Sequence, residues 1–183
     1  MRVIAGSARR LRLVSPEGND TRPTQDRIKE TLFNMIQNQV PGSVFVDLFS
    51  GSGGIGIEAL SRGASKAYFI ENAMAAYKCI MTNIKTTHFE DVSTVLKQDV
   101  VLGIRNIHEK EVDIIFIDPP YHEDLYERTL SSLSNMDYVT KNTMIIVESS
   151  LDMDFSFVED YGFEVRREKE YKTNKHVFLY RKE

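Results

Sequence analysis

The chain has 183 residues, 42% of them hydrophobic and 27% charged, which is one domain's worth of polypeptide with enough apolar material for one substantial core. A single domain over 1–183 is expected, with residues 1–41 as an extension on a core of residues 42–183. A lone cysteine, Cys79, excludes an internal disulfide and a thiolate metal cluster and fits a reducing compartment, so no metal is expected. No apolar run approaches the roughly 18 to 20 residues that span a bilayer. The polar stretch from Ser7 to Arg10 arrives too early for a signal-peptide core, so a cytoplasmic protein away from membranes is expected.

The net charge of −4 is unevenly spread: residues 1–40 carry +3, residues 165–183 carry +4, and residues 41–164 between them carry −11. Arg2, Arg9, Arg10 and Arg12 lie in an acid-free stretch, the local pattern of a phosphate-contacting patch and equally that of a solvated hairpin. In chain order, the β-prone runs 2–5 and 11–14 suggest a hairpin, followed by a polar turn at 15–20. From Thr24, Ile28, Leu32, Met35 and Ile36 recur at helical spacing, with Thr21 or Thr24 as candidate caps and Pro41-Gly42 as the stop. Near-continuous apolar runs at 44–49, 67–71, 94–99, 112–118 and 144–148 read as strands buried on both faces, and helical stretches at 54–62, 72–86, 100–109 and 122–136 separate them. The runs 163–171 and 176–181 close the chain as an antiparallel hairpin. The prediction is an α/β fold: a doubly wound, mostly parallel seven-stranded sheet with a small N-terminal hairpin-helix extension and a C-terminal antiparallel hairpin.

In such a sheet ligands sit beyond the carboxyl ends of the strands. The first strand runs into Asp47-Leu48-Phe49-Ser50-Gly51-Ser52-Gly53-Gly54-Ile55-Gly56, where Gly51, Gly53 and Gly56 permit a tight turn with close ligand approach. The second ends at Glu71, 20 residues after Gly51, where a carboxylate can accept both hydroxyls of a ribose. These two features alone also suit a nicotinamide dinucleotide. Asp47 separates the readings, because a carboxylate beside the glycine turn matches the amino group of S-adenosylmethionine, which NAD lacks.

The fourth strand ends Asp118-Pro119-Pro120-Tyr121. Two prolines fix φ and remove two backbone donors, leaving carbonyls that only accept. Asp118 and the Pro119 carbonyl can each take one hydrogen of a planar amine while Tyr121 stacks on its ring, so that the nitrogen lone pair faces the methyl donor. The four histidines at 88, 108, 122 and 176 lack ligand spacing, Cys79 reads as a small core residue, and Ser149 and Ser150 read as a strand end.

Asp47-Leu48-Phe49-Ser50-Gly51-Ser52-Gly53, Ile70-Glu71-Asn72, Gln98-Asp99-Val100 and Asp118 to Tyr121 resemble the motif series of class I methyltransferases acting on exocyclic amines. Residues 22–34, Arg22-Pro23-Thr24-Gln25-Asp26-Arg27 through Asn34, resemble the opening segment of the RsmD family of bacterial 16S ribosomal RNA (guanine-N2)-methyltransferases. The resemblance covers nearly the whole chain and fades in the last forty residues. It implies a Rossmann-like fold, S-adenosylmethionine as cofactor, and ribosomal RNA within an assembling small subunit as substrate of a monomeric enzyme. It further implies that Asp47 and the Gly51 to Gly56 turn hold the methionine part of the donor, Glu71 its ribose and Asp99 the adenine amine, with Phe49, Asn72 and Val100 also among the cofactor-binding residues. Asp118, Pro119, Pro120 and Tyr121 would hold the guanine. Arg9, Arg10, Arg12, Arg22 and Arg27 are the candidate RNA contacts. Two other readings stay open: an adenine-N6 methyltransferase on RNA or DNA, and a non-catalytic RNA-binding assembly factor.

Overall fold

Runs such as Ile114-Ile115-Phe116-Ile117 have no polar face and require cover on both sides. The computed structural model, which describes residues 1–17, 23–120 and 123–183, supplies it. Strands β1 (Val44–Leu48), β2 (Lys66–Ile70), β3 (Ser93–Leu96), β4 (Ile114–Ile117), β5 (Met144–Ser150), β6 (Phe163–Glu170) and β7 (Asn174–Arg181) form one sheet in the order β3-β2-β1-β4-β5-β7-β6. β1 to β5 are parallel, and β7 is antiparallel to both β5 and β6. The strand order therefore reverses between β1 and β4, which opens a crevice at their carboxyl ends.

Helices α1 (Pro23–Met35), α2 (Gly54–Ser61) and α3 (Met74–Thr87) cover one face, where Phe33, Ile57 and Ile80 pack on Phe45, Phe69 and Phe116. Helices α4 (Val100–Arg105) and α5 (Glu123–Ser134) cover the other, where Ile104, Leu130 and Leu133 pack on Val46, Ile115 and Ile117. Each such buried side chain contributes about 1.5–3 kcal/mol relative to exposure.

The expected N-terminal hairpin forms, but it is short. Its two arms meet only at the bridge Arg2↔Arg12 and a few flanking backbone bonds, including Val3 N–H to the Leu11 carbonyl at 3.0 Å. The segment is held instead by α2. The buried Glu58 carboxylate accepts the N–H groups of Ile4 and Ala5 at 2.9 and 3.1 Å, and the Ser61 carbonyl accepts that of Ser7 at 2.8 Å. Gly6 lies so close to this helix end that a Cβ would sit 1.8 Å from the Ser61 carbonyl oxygen.

Other boundaries also moved. The strand expected over 94–99 stops at Leu96 because Asp99 leaves the sheet to cap α4, its Oδ1 accepting the Val101 N–H at 3.0 Å. Helix α4 ends at Arg105 rather than 109. The short 3₁₀ helices Glu90–Val92 and Ser156–Tyr161 were not expected, being too short to show periodicity. Cys79 is half-buried rather than a core residue. The candidate caps Thr21 and Thr24 and the residues Arg22, Tyr121 and His122 lie outside what the structure describes of backbone or side chain.

Candidate active site

A cleft of about 1190 Å³ opens at the crevice beyond β1 and β4. Asp47, Phe49, Gly51, Glu71, Asn72, Asp99, Val100, Asp118, Pro119 and Pro120 all line it, although they come from four different strand ends. Gly53 and Gly56 lie just behind its wall and shape the turn.

The turn is built from left-handed backbone. Phe49, Gly51 and Gly53 have φ of 60°, 56° and 81°. Nothing lies within 4 Å of a Cβ placed on Gly51, so its glycine answers to conformation. Gly56 answers to packing instead, since a Cβ there would sit 2.4 Å from the Phe69 ring. Phe49 adopts the same region without being glycine, a local strain held at the edge of the cleft.

Asp47 is 2% exposed, and its Oδ2 accepts the Gly56 N–H at 3.0 Å near the start of α2. Burial pushes its carboxyl well above the ordinary range; the Gly56 bond opposes that, while Asp118 and Glu71 add to it. No cationic side chain offsets this site among the interactions described for Asp47, so a ligand ammonium would supply the missing charge. Glu71 accepts the Gly51 N–H and the Ala73 N–H, each at 2.8 Å, which ties the end of β2 to the glycine turn. Each oxygen keeps a lone pair for a diol. Asp99 is exposed at the cleft rim with its other oxygen uncommitted to the α4 cap. The donor set thus fits a ligand with an ammonium, a vicinal diol and a planar amine.

Asp118, just past the end of the neighbouring strand β4, is solvent-exposed and opens onto the same cleft, whose walls displace part of its water. That desolvation, reinforced by Glu148, raises its carboxyl to about 8. Pro119 is buried and Pro120 exposed.

Sequence reasoning passed over several cleft residues. Glu148 sits in β5, and the strand-end rule that singled out Asp118 would have found it. His176 carried no signal, because it reaches the cleft only through the antiparallel register that sets it opposite Glu148. Lys29 and Leu32 of α1, with Met1, Ser15 and Pro16, also line the cleft, so the N-terminal extension forms part of its wall. Asn83 secures this arrangement: its amide bonds both backbone groups of Val14, at 2.8 and 2.9 Å, and the Ser52 carbonyl in the glycine turn at 2.9 Å.

Of the candidate RNA contacts, Arg9, Arg10, Arg12 and Arg27 are exposed. Arg10 and Arg12 share a second recess with Arg2 and Asp26. The structure brings Arg2 within 3.4 Å of Asp26.

A parallel sheet that reverses at β1 and β4, extended by an antiparallel β7 and carrying its cleft at the reversal, has the Rossmann-like methyltransferase fold. The solved structure of Escherichia coli yhhF, described as a candidate methyltransferase, superposes with a TM-score of 0.83 at 28% identity, over 99% of this chain and 97% of that one. The chain belongs to the RsmD family, whose model, described as Conserved hypothetical protein 95, matches residues 1–181. It is 35% identical over 156 residues to ribosomal RNA small subunit methyltransferase D of Haemophilus influenzae, spanning 83% of this chain and 80% of that protein. It is 34% identical over 184 residues to YlbH of Bacillus subtilis, a candidate rRNA methyltransferase, spanning 100% and 99%. The protein is a methyltransferase.

Proposed function

We propose that this enzyme transfers a methyl group from S-adenosylmethionine to the exocyclic N2 amine of a guanine in small-subunit ribosomal RNA, within an assembling ribosomal particle. The observation that carries this reading is one cleft lined by an uncompensated buried carboxylate, Asp47, from β1 and by Asp118-Pro119-Pro120 from the end of the neighbouring β4. The family relatives named for small-subunit ribosomal RNA support the substrate class.

When bound, S-adenosylmethionine supplies an electrophilic methyl group. Asp47 would pair with its ammonium, Glu71 would accept the ribose hydroxyls and Asp99 the adenine amine, with Phe49, Asn72 and Val100 lining the same cleft. Asp118 and the Pro119 carbonyl accept the two hydrogens of the target amine, which points its lone pair toward the donor. Methylation of the amine releases a proton, and Asp118, with its raised proton affinity, takes it. Tyr121, outside the described residues, stacks on the base, and Arg9, Arg10, Arg12, Arg22 and Arg27 contact phosphates. Extruding a guanine costs less from a loop than from a duplex, which favours a single-stranded or junction target.

Mapping modified nucleotides in small-subunit RNA from cells with and without the protein tests the assignment. One N2-methylguanine should disappear in its absence. An unchanged modification map, or the loss of N6-methyladenine instead, overturns it.

A further inference from the structure

Near Asp118 the cleft holds a second carboxylate, Glu148, in an unusually complete clamp. The antiparallel pairing of β5 with β7 sets His176 directly opposite it and Asn174 opposite Ser150. Asn174 Nδ2 donates to Glu148 Oε1 at 2.9 Å, and His176 Nε2 lies 3.0 Å from Oε2. His176 is only 1% exposed, and its Nδ1 lies 3.0 Å from the Tyr171 hydroxyl, which fixes the ring. The Tyr126 hydroxyl donates to the Glu148 carbonyl at 3.0 Å, so backbone and side chain are both held. A strut between strands would need only the clamp. Glu148 also lines the cleft and is close enough to Asp118 for their charges to oppose each other. Each of its oxygens retains a lone pair beyond the clamp bonds.

The two amine-bearing purines differ at the atom beside the amine. Guanine has N1–H there, a donor; adenine has N1 with a lone pair, an acceptor. A rigid carboxylate next to the group that holds the amine accepts from the first and repels the second. We infer that Glu148 is a specificity-determining residue that accepts the ring N1–H of guanine and rejects adenine, and that His176 and Asn174 are positioning residues for it. This inference rests on the guanine methylation proposed above.

The test uses small ribosomal subunits from cells lacking the protein, with either the native guanine or an adenine at the mapped position. The rate of methyl incorporation is measured for the wild type, Glu148→Gln and His176→Ala. Glutamine keeps the clamp, because the imidazole can turn an Nε2 lone pair toward the new amide, and it offers N–H as well as C=O to the base. The guanine-over-adenine ratio of kcat/KM should fall by about 10- to 100-fold in Glu148→Gln, the range of one well-made base contact. His176→Ala should lower the ratio less. Affinity for S-adenosylhomocysteine, measured by calorimetry, should be unchanged in both and reports an intact donor end. An unchanged ratio in Glu148→Gln, including no adenine methylation by either enzyme, overturns the specificity role while leaving the proposed function standing. Wild-type enzyme that methylates no guanine in these subunits overturns the proposed function, and this inference with it.

Discussion

Asp118 and Asp47 are both carboxylates at strand ends, yet they are tuned for different partners. Asp118→Ala removes the proposed acceptor of the target amine and should lower kcat by about 10² to 10³, the usual cost of one positioned group in a water-poor site. Binding of S-adenosylhomocysteine should persist, since the proposed role of Asp118 is toward the acceptor amine and not the donor. If Asp118 takes the amine proton as proposed, it works ionised, and with its carboxyl raised to about 8, kcat/KM should climb as pH rises through that value and level off above it. The same shift has a stability consequence of opposite sense. A carboxyl whose folded-state affinity for protons is raised favours the folded protein when protonated and opposes folding once ionised. Relative to Asp118→Asn, the wild type should therefore lose Tm from the ordinary carboxylate range up to about pH 8, with no further divergence above it. Asp47→Asn keeps an acceptor for the Gly56 N–H but removes the charge, so S-adenosylhomocysteine affinity measured by calorimetry should weaken by about 1.5–3 kcal/mol. Unaltered affinity would remove Asp47 from the donor site. The strand-end rule made Asp47, Glu71 and Asp118 legible in sequence. The raised proton affinity of Asp118 was not legible, because it depends on the cleft walls around this exposed side chain and on Glu148 from a distant strand.

At the scale of elements, the junction between the N-terminal segment, α1 and α2 turns on Glu58. This fully buried carboxylate accepts two backbone N–H groups from the segment, pairs with Arg62 Nε at 2.8 Å, and lies 3.7 Å from the Lys29 ammonium. Burial pulls Lys29 below the ordinary lysine range, while Glu58 and Asp26 oppose that effect. Glu58→Ala should leave this ammonium and two N–H groups without their partner. A loss of about 3–5 kcal/mol is expected by urea denaturation, together with weaker donor binding, because Met1 and Lys29 line the cleft. A variant as stable as the wild type would show that the segment docks without Glu58. In sequence, Glu58 is one polar residue in the apolar helix Gly54–Ser61, and nothing local marks it as the anchor of residues fifty positions earlier.

For the whole molecule, an acidic chain must still hold a polyanion. The exposed Arg9, Arg10 and Arg12 belong to a segment bonded to α2 beside the cleft, not to a free tail. If each neutralises one phosphate, changing all three to Ala should reduce the slope of log K against log salt by about 2 to 3 units. Donor affinity should not change. RNA binding across a salt series decides it, and identical slopes would transfer attention to Lys172, Lys175 and Arg181. Lys175 and Arg181 are already engaged, however: Lys175 lies 3.5 Å from Glu168, and Arg181 donates to the Val139 carbonyl at 2.6 Å. By itself the sequence determined the alternation of strands and helices, the closing antiparallel hairpin, and the chemistry at the ends of β1, β2 and β4. Each of these is written in short-range periodicity or in contiguous motifs. Only the tertiary structure decided that the N-terminal extension walls the cleft, that Glu58 and Asn83 fasten it, and that His176 and Asn174 clamp Glu148 beside Asp118. Those pairings join residues 26 to 69 positions apart, where partner choice depends on strand order and register that no local pattern encodes.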